Sequence, residues 1–353
     1  MGVVDWGLAE RVAVRAAGQE PFADSYHYES LTSDFTELTV LAEDQVAAAT
    51  GLRSLSGNAR ARVTDRQGWV RANIASFQRL LRPITDKLDV ISNGPFAPVA
   101  SRIAGAEVGM ILGWMSSRVL GQYDLLVVED ENPEDQDLVY FVGPNILGLE
   151  KRFAFPPREF RHWLALHEVT HRAQFTGIPW MREHFLGLVQ ETVGSVDPDP
   201  KRITEALGRL ASDIRAGKNP LDDGGMMALL ASPEQRLVLD QVAGLMSLLE
   251  GHGDVTMDRA GADQIPSSAR FGQVLRQRRQ QGSPAAKLLQ KIIGIDAKLK
   301  QYEQGEAFIE SVEKHGGTEL LDVAWVDPTN LPSIAEIRNP GAWIARVGPT
   351  VAA

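Results

Sequence analysis

Residues 156–179 read PPREFRHWLALHEVTHRAQFTGIP, and the fold turns on how that stretch is placed. Pro156 and Pro157 suit a first helical turn, where the missing N–H has no intrahelical partner. Thr176-Gly177-Ile178-Pro179 is a glycine stop followed by proline. Between them the residues form one helix. His167 and His171 stand at i and i+4, so both imidazoles share a face, one turn apart.

That spacing lets two ring nitrogens approach one ion, as zinc requires. Glu168 projects beside such an ion, placed to take a proton from the water it activates, as general base. A catalytic zinc needs a third protein ligand and an open fourth position. Glu250 is the candidate, with Asp254 one turn on to bond a ligand histidine's second nitrogen. Gly251 and Gly253 would permit close packing against the HEVTH helix. His252 and Glu191 are rivals for the third position. His252 lies nearer the centre of its helix's apolar stripe, and Glu191 follows His171 by twenty residues but points off its stripe. Arg172, His184, His252 and Tyr302 are candidates to stabilise a developing oxyanion.

Working outward, residues 1–118 read as a helical bundle. Asp34 with Glu37 resembles a capping box, with Gly51 as the stop. Thr64 with Gln67 opens a second helix, and Ala97 to about Leu120 forms a third. In the third, Ala104, Gly105, Ala106, Gly109 and Gly113 would let another helix approach closely. The period then changes. Tyr123–Glu129 and Leu138–Val142, separated by the acidic turn Asp130–Asp137, read as a β-hairpin. The chain is thus α+β and predominantly helical, with an N-terminal domain over 1–118 and a catalytic domain over 119–353. Ser232-Pro233-Glu234-Gln235 starts a further helix that carries Glu250. Residues 196–202 and 216–225 read as loops, 284–294 and 296–314 as helices, and the C-terminus as a wrapping tail.

The 353 residues carry 44% hydrophobic and 23% charged side chains, ordinary for a globular protein. The net charge of −10 argues against nucleic acid or an anionic membrane as partner. Arg270, Arg276, Arg278 and Arg279 read as a solvated face. There is no cysteine, so any metal is held by His, Asp or Glu. No basic start with an apolar run opens the chain, and no stretch reaches the roughly 18 apolar residues of a membrane span. The expectation is a cytoplasmic protein. Neither a P-loop nor a dinucleotide fingerprint is present.

Four runs carry a resemblance: WLALHEVTHRAQF (163–175), LLEGHGDVTMD (248–258), AKLKQYEQGEAFI (297–309) and LPSIAEIRNPGAWIARV (331–347). Together they resemble the zincin-like metallopeptidase type 2 family of actinobacteria and their relatives, over nearly the whole chain. The resemblance implies a zincin-like fold with a helical N-terminal domain, His167 and His171 as metal-binding histidines and Glu168 as general base. Glu250 falls in the second shared run. A subgroup of that family is associated with biosynthesis of a deazaflavin coenzyme. The expectation is a zinc-dependent hydrolase acting on a peptide. The alternatives are a scaffold that uses a closed zinc site structurally, and a hydrolase of a small molecule in coenzyme biosynthesis.

Overall fold

The computed structural model describes residues 3–20, 22, 25–91, 97–125, 137–194, 233–280 and 295–348. The loops expected at 196–202 and 216–225, the helix at 284–294 and most of the turn at 130–137 lie outside the described residues. The fold is mostly helical with one small sheet. By internal packing it divides into two units: residues 1–179 with 256–271, and residues 180–255 with 272–353.

In the first unit α1 (Trp6–Ala17) is opened by Asp5, whose carboxylate accepts the Leu8 N–H at 2.9 Å. Helix α2 (Tyr26–Thr50) begins at Ser25 and ends on Gly51 in the left-handed conformation. Asp34 is therefore not a cap. It sits inside α2, and its carboxylate meets Arg161. Next come β1 (Arg60–Thr64), α3 (Arg66–Ile91) and α4 (Ala97–Ser116). The α3 start belongs to Asp65, which accepts the Gly68 N–H at 2.6 Å. Thr64 instead ends a strand.

The small-residue stripe of α4 receives α1. A Cβ added at Gly105, Gly109 or Gly113 would lie 2.4–2.5 Å from the carbonyl oxygens of Asp5, Ala9 and Ala13 respectively. Ala9 and Ala13 are fully buried there. Two backbones come this close only where both faces lack bulk. Ala13 also joins Trp69, Val70, Ile74, Leu112 and Val142 in a core cluster, which ties α1, α3 and α4 to the sheet.

The sheet has three strands in the order β1-β3-β2, with β2 at Gly121–Tyr123 and β3 at Leu138–Val142. β3 pairs antiparallel with β2, so the hairpin pairing forms; the paired strand begins at Gly121, two residues before the expected start, and residues 126–129 of the expected strand lie outside the described residues. β3 also pairs in parallel with β1, Arg60 opposite Leu138 and Thr64 opposite Val142. A strand covered on both faces reads as a near-continuous apolar run. All five residues of Leu-Val-Tyr-Phe-Val are accordingly buried. Phe141 stacks on Phe35 of α2 with ring centroids 3.8 Å apart.

Helices α5 (Gly143–Phe153) and α6 (Pro157–Gly177) follow the sheet. Fourteen α6 side chains are buried. They include Arg161, paired with Glu150 at 2.8 Å, and Arg172. The unit closes with the end of α8 (Pro233–Gly261) and the start of α9 (Ser268–Gln280). There Gly261 packs against Leu166, the residue before His167.

His162, also buried on α6, has its Nε2 2.6 Å from Gln45 Oε1. Burial, helped by the charge of Arg158, holds its pKa below the usual 6.5. In the unfolded chain the imidazole protonates near 6.5, whereas in the fold it protonates only at lower pH. The fold keeps the full benefit above about pH 6.5 and loses it as pH falls through the folded value. The denaturant midpoint of unfolding should drop between about pH 7.5 and 5.5, and His162→Gln should flatten that drop. An unchanged slope in the variant would refute the assignment. His184, lowered by burial as well, adds a residual slope of the same sign.

The second unit contains α7 (Met181–Gly194), the 233–255 part of α8, α10 (Ile295–Val326), α11 (Ile334–Arg338) and α12 (Pro340–Val347). Helix α10 breaks at Gly316 and Gly317, the latter at φ 73°. Gly251 does not serve the HEVTH helix as expected. A Cβ on it would meet the Gly305 carbonyl carbon at 2.3 Å, and one on Gly305 would meet the Ser247 oxygen at 1.9 Å, so α8 and α10 cross at these glycines. The expected tail is helical: Ser333 and Glu336 form a capping box, and buried Trp343 donates its Nε1–H to Asn330 and packs edge-on against Phe308. Among the described residues no helix is long and apolar enough to cross a membrane.

Candidate metal centre

Helix α6 sets the position of both histidines. Its Pro157–Gly177 boundaries follow the proline start and glycine stop. Its apolar side chains, Phe160, Leu164, Leu166, Val169 and Ala173 among them, fix its rotation by burial. His167 and His171 remain partly exposed on the remaining face. Their rings stand nearly perpendicular, at 83°, with centroids 4.6 Å apart. The two Nε2 atoms are 3.2 Å from each other.

That separation tests the site. Two nitrogens each about 2.0–2.1 Å from one zinc at a tetrahedral angle lie about 3.3 Å apart. His171 is also oriented from behind, its Nδ1 3.0 Å from Gln174 Oε1. An amide oxygen only accepts, so Nδ1 carries the proton and the Nε2 lone pair faces His167. Among the described residues, one group of three His, Asp or Glu side chains is able to hold a metal ion: His167, His171 and Glu250. Their ligand atoms all lie within 4.8 Å of one another. Two imidazoles and a carboxylate are the donor set of a hydrolytic zinc centre, and these residues fit it.

The other candidates are placed elsewhere. His252 is buried and packs edge-on against Trp325, with ring centroids 5.1 Å apart. It is outside the three-residue group, as is Glu191, which is exposed on α7. His184 packs edge-on against Trp180 at 5.9 Å. Arg172 is not available for an oxyanion. It is 1% exposed, and its guanidinium donates to Glu43, Asp137 and the Gly57 carbonyl. Arg270 and Arg276 are exposed, in keeping with a solvated face, and Arg270 also donates to the carbonyls of Phe153 and Ala154. The Tyr302 side chain lies outside the described residues.

Glu168 is buried, and its side chain lies over the backbone of β2. A Cβ at Gly121 would come within 2.6 Å of the Glu168 Cγ and Oε1. Sequence reading missed both Gly121 and Gln174. Gln174 was open to detection, since it stands one turn beyond His171 where a second partner is wanted. Gly121 carried no local signal, because its role depends on a strand crossing a helix.

The profile of the family described as zincin-like metallopeptidase matches residues 4–344 of the chain. The chain belongs to the zincin-like metallopeptidase family. A crystal structure from Chloroflexus aurantiacus, described as that of a candidate hydrolase with a novel fold, is 31% identical to this zincin-like chain. The similarity covers 98% of this chain and 99% of that one, with a TM-score of 0.72. No curated protein matches. Family membership implies a metal ion, typically zinc, and the HEVTH residues of α6 lie well inside the matched span.

Proposed function

We propose that this chain is a cytosolic zinc-dependent hydrolase, most simply a peptidase. The observation that carries the reading is the convergence of His167, His171 and Glu250, with the buried Glu168 carboxylate next along the helix. His167 and His171 would hold zinc through Nε2 and Glu250 through a carboxylate oxygen. Zinc, when bound, supplies a Lewis acid that polarises a carbonyl and lowers the pKa of water to about 7. Glu168 then takes the proton from the attacking water and delivers it to the leaving nitrogen. Gln174 holds the His171 ring in the tautomer that ligation needs.

A peptide substrate is supported by the edge of the sheet. The Val142 N–H donates to the Leu120 carbonyl at 2.8 Å and the Asp124 N–H to the Leu138 carbonyl at 3.0 Å. Antiparallel alternation then turns the backbone of Gly121 and Tyr123 away from β3. β2 is the last strand on that side among the described residues. An extended chain adding there would run past Glu168. The structural-zinc reading needs His252 as a fourth ligand. Among the described residues His252 packs against Trp325 and stands outside the three-residue group, which does not support that reading.

The test is metal content by elemental analysis of wild type and Glu250→Ala, each refilled with zinc and desalted. One zinc per chain is expected in wild type, with affinity in the variant falling by more than the roughly 10–100-fold that loss of an outer partner causes. Wild type that retains no metal would sink the reading. Equal retention by both would remove Glu250 from the ligand set.

A further inference from the structure

We infer that Gly121 is a positioning residue, whose missing side chain is the space that holds the Glu168 carboxylate in place; the inference rests on the reading of Glu168 as general base. A Cβ at Gly121 would lie 2.6 Å from Glu168 Cγ, 2.6 Å from Oε1 and 2.7 Å from Cδ. Real side chains do not approach that closely. The backbone gives no other reason for glycine. The described glycines with positive φ are 18, 51, 57 and 317, and Gly121 is not among them. An L residue would fit its conformation, so what excludes one is the Glu168 side chain.

The strand cannot back away to make room. On the opposite face Gln122 accepts the Trp69 Nε1–H at 2.8 Å and donates to Asn73 at 3.1 Å, which holds β2 to α3. On the Gly121 face, Tyr123 stacks with Phe175 of α6 at 6.3 Å, which holds β2 to the helix that carries Glu168. Through Gln122 and its neighbours β2 is also in register with β3, Gly121 opposite Phe141. Strand and helix are thus held at a fixed separation, and the gap between them is the width of a glycine. The Glu168 side chain fills it. A methyl group in the gap would displace the carboxylate while leaving His167 and His171, which project from the same helix toward the metal group, in place.

The experiment is a stability cycle read together with cobalt substitution. Gly121→Ala should raise the unfolding equilibrium constant roughly tenfold or more, as overpacking of a filled site does. The same substitution in a Glu168→Ala background should change it less than about twofold, because the obstruction is gone. Loaded with cobalt, Gly121→Ala should show a visible absorption band displaced in the same sense as that of Glu168→Gln, with cobalt affinity within about threefold of wild type, well short of losing a ligand. An equal penalty in both backgrounds, or a wild-type cobalt spectrum in Gly121→Ala, would overturn the proposal. Should Gly121→Ala fail to fold, the Gly121→Ala/Glu168→Ala chain must fold; if it does not, Glu168 is not the obstruction and the proposal fails. A wild-type chain that takes up no cobalt overturns the metal reading and this role with it, and the stability cycle distinguishes that failure from a contact wrongly assigned.

Discussion

Glu168→Gln is expected to keep one zinc per chain and to lower hydrolysis of a mixture of internally quenched peptides by about 10²–10⁴-fold, the usual contribution of a positioned proton acceptor. The amide matches the carboxylate in size and keeps the Gly121 gap filled, so the fold is not disturbed. It cannot accept the water's proton. His167, His171 and Glu250 are untouched, so metal content separates a loss of chemistry from a loss of the site. Turnover equal to wild type would remove Glu168 from the mechanism. Zinc lost along with turnover would mean that Glu168 supports the metal rather than the proton transfer.

The second large effect concerns the residue after His171. Arg172→Met is expected to destabilise the protein by about 3–5 kcal/mol, measured by denaturant unfolding. Arg172 is 1% exposed and pairs with Glu43 of α2 and Asp137, at 13% and 19% exposure. It also donates to the Gly57 carbonyl. Methionine fills much of the same volume, so the expected loss is electrostatic: two largely buried carboxylates left without their cation. Double replacement with Glu43→Gln should recover part of the loss, since one stranded charge is then removed. A change below about 1 kcal/mol would show that water reaches these carboxylates well enough to replace the guanidinium.

How much of this was legible in the sequence depends on whether the signal was local. Pro156, Pro157 and Gly177 punctuate α6 within a single segment, and the helix starts and stops accordingly. His167 and His171 are one turn apart, so their shared face follows from helical period alone. Glu250 was picked out by the company it keeps, an acidic and glycine-rich run that the sequence places at a helix end and the structure places inside α8, which continues to Gly261. Strand β1 was not legible. Arg60-Ala61-Arg62-Val63-Thr64 has little apolar character, and it is a strand because β3 supplies its partner from a distant part of the chain. Helix α1 was missed because its buried positions are Ala9, Ala13 and Ala17, too small to stand out as a hydrophobic stripe. The stripe it packs into, Gly105, Gly109 and Gly113, was visible from the other side. Arg172 read as a catalytic candidate because a charged residue beside a ligand invites that reading. Only the placement of Glu43 and Asp137 shows that the guanidinium is occupied.

The parallel pairing of β1 with β3 also bears on how the chain reaches this state. Arg60 pairs with Leu138, a separation of 138 − 60 = 78 residues. Contacts that distant form slowly, because the intervening chain must be ordered before they return any stabilisation. Until then β3 has at most the short β2 along one edge, and its Leu-Val-Tyr-Phe-Val sequence is uncharged, β-prone and without proline. Such a segment pairs readily with copies of itself. The kinetic hazard of this protein therefore lies in the interval between hairpin closure and the arrival of residues 60–64. Refolding yield should fall with protein concentration for that reason, even under conditions where the finished fold is stable.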